Sequence, residues 1–242
     1  MGSMRLLAAV LALLVSTVTP AHADPRIVGG VVVDDAEEAP WMVALTTPQG
    51  HQFCGGALVG PHEVATAAHC VHGRLPGSIV AVGGRLDLRT GGGSTSLVAA
   101  FRLVEGYTAP SSGKDIAVLT LSEPMPYRPL PIAASTAYMG GSVGAVYGWG
   151  RQAEHDTNKS PLLHKAHLPI VPDEQCAATY PQFDAGSMFC AGYPGGEIDA
   201  CTDDSGGPFV IDGRLAGIVS WGTGCARPNM PGVYTRVATY LR

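Results

Sequence analysis

The stretch Asp199-Ala200-Cys201-Thr202-Asp203-Asp204-Ser205-Gly206-Gly207-Pro208 decides how the rest of the chain is read. It sets a serine and three carboxylates within a few residues, beside a cysteine and a pair of glycines. Taken alone it is a polar turn between strands, because Asp, Ser, Gly and Pro all favour turns. A serine hydroxyl is a weak nucleophile. It acquires chemistry only if the chain supplies a base and a group to orient that base.

The chain around it has 242 residues, 46% of them hydrophobic, with 32 glycines and 19 prolines. That balance predicts short strands and many turns rather than long helices. The N-terminus reads differently. Arg5 precedes an apolar run from Leu6 to Val18, and Pro20-Ala21-His22-Ala23 closes it with a small-x-small pattern. This predicts a secretory signal peptide, residues 1–23, with export to the extracellular space. The run is shorter than the ~20 residues a membrane span needs. Residues 24–26, Asp24-Pro25-Arg26, then lead into Ile27-Val28-Gly29-Gly30. A tripeptide ending in Arg26 predicts a processing site that frees an α-amino group at Ile27. Losing residues 1–26 removes Arg5, Arg26 and Asp24, which leaves 13 Lys and Arg against 19 Asp and Glu, a net charge of −6. Nucleic acid is disfavoured as a partner by that sign.

Six cysteines stand at 54, 70, 176, 190, 201 and 225. In an exported chain an even count predicts disulfides. Spacing alone leaves the pairing open; joining chain neighbours is the simplest choice. No Cys-x-x-Cys or His/Cys cluster suggests a metal. The loop from Gly83 to Thr95, with Asp87 almost alone, lacks an acidic calcium set, so neither a metal nor another cofactor is expected.

Strands are predicted over Met42–Thr46, Gln52–Val59, the run into Cys70, Ser78–Gly83, Leu97–Leu103 and Ile116–Leu121. A proline-rich connection, Met125–Ala137, leads to a second group: Gly144–Gly150, Leu162–Ile170, Met188–Gly192, Pro208–Ile211, Leu215–Trp221 and the start of Val233–Leu241. Residues 151–161 read as a mobile surface loop, Pro172–Tyr180 as a short helix and the C-terminus as a final short helix. Two small antiparallel barrels or sandwiches fit this all-β pattern, with a site formed by loops between them.

The chain also carries the partners a nucleophilic serine needs: His69 beside Cys70 after a small-residue turn, and Asp115 before an apolar strand. With Ile27-Val28-Gly29-Gly30, Thr66-Ala67-Ala68-His69-Cys70, Asp115-Ile116-Ala117-Val118-Leu119, Gly148-Trp149-Gly150, Asp204-Ser205-Gly206-Gly207-Pro208, Ser220-Trp221-Gly222 and Pro231-Gly232-Val233-Tyr234, in that order, the chain resembles a trypsin-like serine protease of the chymotrypsin family. In character it is similar to secreted bacterial trypsins of the actinobacterial type. The resemblance spans residues 27–242. It implies two six-stranded antiparallel barrels with a short C-terminal helix, one near 27–130 and one near 131–242.

The resemblance also assigns roles. Ser205 is the nucleophile, His69 the general base and Asp115 its orienting carboxylate, in peptide hydrolysis through an acyl-enzyme. The N–H groups of Asp203 and Ser205 form the oxyanion hole. Asp199 lies at the floor of the specificity pocket and selects Arg or Lys on the acyl side of the cut. Gly222 and Gly232 wall that pocket, and Ser220, Trp221 and Gly222 pair with substrate backbone. Asp204 pairs with the amino group of Ile27 after cleavage at Arg26, so the precursor is a zymogen. The family pairing of Cys54 with Cys70, Cys176 with Cys190 and Cys201 with Cys225 coincides with the chain-neighbour choice. The implied partners are protein or peptide substrates and protein protease inhibitors, the implied state a monomer away from membranes.

One residue departs from the family. Glycine is expected two places before the serine, and Asp203 stands there. The sequence predicts a misfit in the oxyanion hole, so that Asp203→Gly raises turnover, with a preference for cationic groups on the leaving-group side as the alternative. It also keeps open the alternative of a catalytically impaired homologue acting as a binding protein. A lipase-type fold would need Gly-x-Ser-x-Gly, which this stretch does not supply. Tyr180 is a candidate neighbour of the pocket, and Asn158-Lys159-Ser160 matches a glycosylation acceptor.

Overall fold

The computed structural model describes residues 27–241. The expected signal peptide 1–23 and the tripeptide 24–26, with Arg26, lie outside the described residues. A two-residue strand, β1 (Val31–Val32), comes first and pairs outside both barrels' own first strands. The first barrel comprises β2 (Met42–Thr46), β3 (Gln52–Gly60), β4 (Glu63–Thr66), β5 (Val80–Gly83), β6 (Ser94–Leu103) and β7 (Ala117–Leu121). It closes in the order β2-β3-β4-β7-β6-β5, every pair antiparallel. The second comprises β8 (Val143–Gly148), β9 (His164–Val171), β10 (Met188–Ala191), β11 (Pro208–Ile211), β12 (Arg214–Trp221) and β13 (Gly232–Arg236). Its sheet runs β9-β10-β13-β12-β11-β8, and β8 returns to pair with β9, closing six strands; β1 adds to β9 from outside. Closure removes the free edges that open sheets must otherwise protect.

The burial pattern follows from strand geometry. Along β9, His164, Ala166, Leu168 and Ile170 are buried while Lys165, His167, Pro169 and Val171 are not, the two-residue period of a strand with one inner face. All five residues of β2 are buried, between β3 and β5 of the same barrel. The shared core joins Trp41 and Val33 to Tyr147, Trp149 and Leu215. Trp41 meets Tyr147 edge-on with ring centroids 5.0 Å apart, a favoured aromatic geometry. The connection from Met125 to Ala137 is pinned to both sides: Leu130 N–H donates to Leu58 and Ala133 N–H to Leu215.

The expected short C-terminal helix is a single 3-10 turn, Val237–Thr239, after which Tyr240 Oη donates to the Gly113 carbonyl of the first half. One expectation needs correction. Residues 151–161 are tethered: Arg151 pairs with Lys159 in an isolated bridge, Arg151 N–H donates to Thr202, and Arg227 grips Glu154 with two bonds of 2.9 and 2.5 Å. Polar composition marks exposure, and here the polar groups also find partners across the chain. The short helix in the second half spans Asp173–Thr179.

Inside the second barrel Phe189, Phe209 and Tyr234 form a ring cluster with centroids 4.8 to 5.2 Å apart. Gly144 leaves room for it, since a methyl group there would overlap the Phe209 ring. Gly144→Ala is therefore expected to destabilise by about 1–3 kcal/mol through overpacking. Thermal unfolding followed by near-UV circular dichroism should show a midpoint lower by several degrees, at roughly 2–4 °C per kcal/mol; an unchanged midpoint would mean that the ring moves aside freely.

Candidate active site

His69 lies in a four-residue helix, Ala68–Val71, directly after β4. Asp115 precedes β7, which pairs with β4, so the two meet where neighbouring strands end. Asp115 is fully buried. Its Oδ1 accepts the His69 N–H at 2.8 Å, and its Oδ2 accepts both His69 Nδ1 at 2.7 Å and Ser220 Oγ at 2.6 Å. Thr235 Oγ1 holds the Asp115 carbonyl at 2.9 Å. In the imidazole tautomer that donates from Nδ1 to this carboxylate, Nε2 keeps a free lone pair. The His69 side chain is 25% exposed, open to whatever enters the cleft.

The Ser205 loop is pressed against this corner. The Ser205 carbonyl accepts the Gly55 N–H at 2.8 Å, and Gly206 N–H donates to Val219. Gly206 has φ 79°, and a methyl group there would overlap Thr66 Oγ1 and the Gly55 carbonyl. Only glycine permits both the left-handed backbone and this approach. Thr66 in turn donates to Gly55 at 2.7 Å. The serine loop therefore abuts the turn that delivers His69, and the Cys54–Cys70 disulfide staples that turn to β3. Asp204, Gly206 and Gly207 N–H groups donate to Cys201, Val219 and Asp204 carbonyls. Those of Asp203 and Ser205 have no acceptor among the described residues.

Beside Ser205 opens a pocket of about 340 Å³ lined by Asp199, Ser220, Trp221, Gly222, Gly232 and Tyr234. Asp199 is 4% exposed. Its Oδ2 accepts the Ala226 N–H at 3.2 Å, and its Oδ1 has no partner among the described residues. Burial pushes its carboxyl up to about 7. A methyl group on Gly232 would sit 2.7 Å from Asp199 Oδ1, and one on Gly222 would project between Gly224 and Gly232. Both glycines keep the shaft open. The Cys201–Cys225 disulfide joins its two walls, and the third, Cys176–Cys190, lies behind with Tyr180. Tyr180 packs on Trp221 at 4.9 Å and donates to the Pro231 carbonyl.

Asp204 is completely buried, and burial pushes its carboxyl up to about 7. It accepts N–H groups from Gly150 at 2.7 Å and Cys201 at 2.9 Å. Side chains at Gly148 or Gly150 would overlap this carboxylate. Ile27 is fully buried in the second barrel's core, and Val28 bridges Asp199, whose N–H it accepts.

Asp203 has φ 74°. The aspartate thus adopts the left-handed conformation that glycine would take, which Asp tolerates better than most residues. The aspartate therefore takes up the backbone that the sequence expected glycine to occupy, at the cost a side chain carries there. Its carboxylate lies 3.9 Å from Arg151 Nε, with Lys159 on the same side, so it is already faced by cations. Gln52 Nε2 donates to the Asp203 carbonyl at 3.0 Å.

Thr235 and Gln52 escaped sequence reasoning because nothing local marks them, and Thr66 entered it only as part of the His69 motif. Tyr107 escaped it too; burial, then the Asp115 charge, pushes its hydroxyl up to about 12. Among the described residues one His/Cys group has metal-like spacing, Cys54, His69 and Cys70 within 4.8 Å. Both its sulfurs are in a disulfide and offer no thiolate. Asn158 is exposed and Ser160 buried.

The family model described as Trypsin matches residues 27–242. Trypsin of Saccharopolyspora erythraea is 40% identical over 218 residues, covering 88% of this chain and 94% of that protein. Serine protease 1 of Rattus norvegicus is 34% identical, covering 92% and 89%. A trypsin of Xenopus laevis is 35% identical, covering 90% and 88%. With two closed antiparallel barrels meeting at a His–Asp pair beside an open serine loop, and this similarity along nearly its whole length, the chain belongs to the trypsin family of serine proteases.

Proposed function

We propose that the chain is the precursor of a secreted serine endopeptidase that cuts after Arg and Lys. The observation that carries this reading is Asp199: one carboxylate, with a free oxygen, at the bottom of a glycine-walled pocket beside Ser205. A long cationic side chain fills such a shaft and replaces the hydration the carboxylate lacks. Ser205 Oγ attacks the substrate carbonyl while His69 Nε2 takes its proton. Asp115 stabilises the imidazolium, and the N–H groups of Asp203 and Ser205 receive the oxyanion. His69 then protonates the leaving amine, and water, activated by the same base, releases the acyl group. Ser220 serves twice, through Oγ on Asp115 and through a backbone placed to pair with extended substrate.

Activation follows from Asp204. A buried carboxylate without a cation is costly, and the amino group freed at Ile27 is the proposed partner. Signal peptide 1–23 and propeptide 24–26 belong to this proposal, as does the protease domain 27–242.

Two expected outcomes check the reading. Digestion of a denatured protein mixture by the form starting at Ile27, with mass-spectrometric mapping, should give cuts after Arg and Lys; cuts after aromatic residues would refute Asp199 as the selector. In the same assay system Arg26→Gln, which blocks processing, should lower hydrolysis of a small arginyl ester by at least about 100-fold, the scale of one uncompensated buried charge. Full activity of the uncut chain would exclude latency.

The pocket also sets a pH dependence. In the empty enzyme Asp199 holds its proton up to about 7, well above its unfolded value. A cationic ligand needs the carboxylate, so binding displaces that proton below pH 7. Benzamidine affinity should therefore weaken by up to about tenfold per pH unit as pH falls below 7, and level off above it. The linkage runs the other way for stability of the empty form: the native carboxyl binds its proton more tightly, so stability is lost as pH rises from about 4 to about 7. Titration calorimetry in buffers of different ionisation enthalpy reads the proton directly; Asp199→Asn should abolish both the release and the slope.

A further inference from the structure

The left-handed backbone at Asp203 needs an explanation, because a side chain there is disfavoured by roughly 1 kcal/mol or more relative to glycine. The structure supplies one at Gln52. This residue opens β3 and is 4% exposed. Its Nε2 donates to the Asp203 carbonyl at 3.0 Å, across 151 residues of sequence. Its Oε1 has no partner among the described residues, so the donor is the part of the side chain that is used. Lys159 Nζ donates to the Gln52 carbonyl, holding the start of β3. Burial lowers the Lys159 ammonium from its ordinary value while the Asp203 carboxylate pulls it the other way. Arg151 adds a second cation 3.9 Å from that carboxylate, and its N–H holds the Thr202 carbonyl.

A peptide plane has two ends. Fixing the carbonyl of Asp203 from the Gln52 side sets the ψ of residue 203, and the tether from Arg151 to Thr202 fixes the plane that carries the Asp203 N–H. The carboxylate meanwhile is drawn toward Arg151 and Lys159. We infer that Gln52, steadied by Lys159, is a positioning residue that holds Asp203 in the left-handed conformation its N–H needs to face the substrate oxyanion. The inference rests on the proposed role of that N–H. Gln52 touches no reacting atom; it acts through the backbone of residue 203.

The test is a double-mutant cycle on the form starting at Ile27, with an arginyl anilide substrate. Gln52→Leu keeps bulk and removes the donor. In the Asp203 enzyme it should lower kcat about tenfold, less than the 10²–10³ of a lost oxyanion donor because the N–H is displaced and not deleted. KM and the inhibition constant of benzamidine should stay within about twofold, since the pocket is untouched. In the Asp203→Gly background the same change should lower kcat by no more than about twofold, because glycine adopts this backbone unaided. Lys159→Met, on the surface loop, gives a second route should Gln52→Leu fold poorly: about a threefold loss of kcat with Asp203 and none with glycine. Equal losses in both backgrounds would assign Gln52 to general stability and overturn the inference, as would no loss at all or a loss carried by KM. An active wild type with a flat cycle refutes this inference alone; an inactive wild type refutes the functional reading beneath it.

Discussion

The burial of the Asp204 carboxylate is the constraint on which the site depends. Charge taken from water must be met by donors at fixed places. Here Gly150 and Cys201 N–H groups meet it, and glycines at 148 and 150 make the room. Those contacts hold the loop from Cys201 to Ser205, in which the Asp203 and Ser205 N–H groups have no acceptor among the described residues. The same loop forms one wall of the Asp199 pocket. The proposed selector, oxyanion donors and nucleophile therefore share one anchor. The fold's two closed barrels supply the rigid surroundings that keep the anchor buried.

Four aspartates show how environment divides one chemistry. Asp115 is buried and fully engaged, with three donors on its carboxylate. Asp204 is buried with two. Asp199 is buried with the Ala226 N–H on one oxygen and no hydrogen bond on the other among the described residues. Asp203 is partly exposed and lies opposite Arg151 and Lys159. Solvation and partner count separate the four, and the roles proposed for them follow that division.

Most of the architecture was legible because strands with an inner face announce themselves. The alternation over 164–171 and the apolar run at 117–121 appear where expected. The motif residues were legible because their neighbours are unusual locally: glycine pairs, a histidine beside a cysteine, a carboxylate before an apolar strand. What stayed hidden acts over long separations. Thr235 reaches Asp115 across 120 residues, and Gln52 reaches Asp203 across 151. Nothing in either local sequence distinguishes them from other polar strand residues. The tethering of 151–161 was hidden for the same reason, since its partners lie at 202 and 227.

Asp203 shows where residue-by-residue reading stops. A rule about one position says that glycine belongs there, and the rule is physical: left-handed backbone disfavours a side chain. But the conformation of a loop residue is set by every contact that holds it, and here the carbonyl, the preceding peptide and the carboxylate are each held by a different residue. A penalty of about 1 kcal/mol is comparable to one hydrogen bond. Distributed contacts of that size are enough to keep the N–H where glycine would have placed it. On the proposed reading of that N–H, the substitution is a transfer of conformational control, from the intrinsic freedom of one residue to the packing of β3 and the 151–159 loop against it.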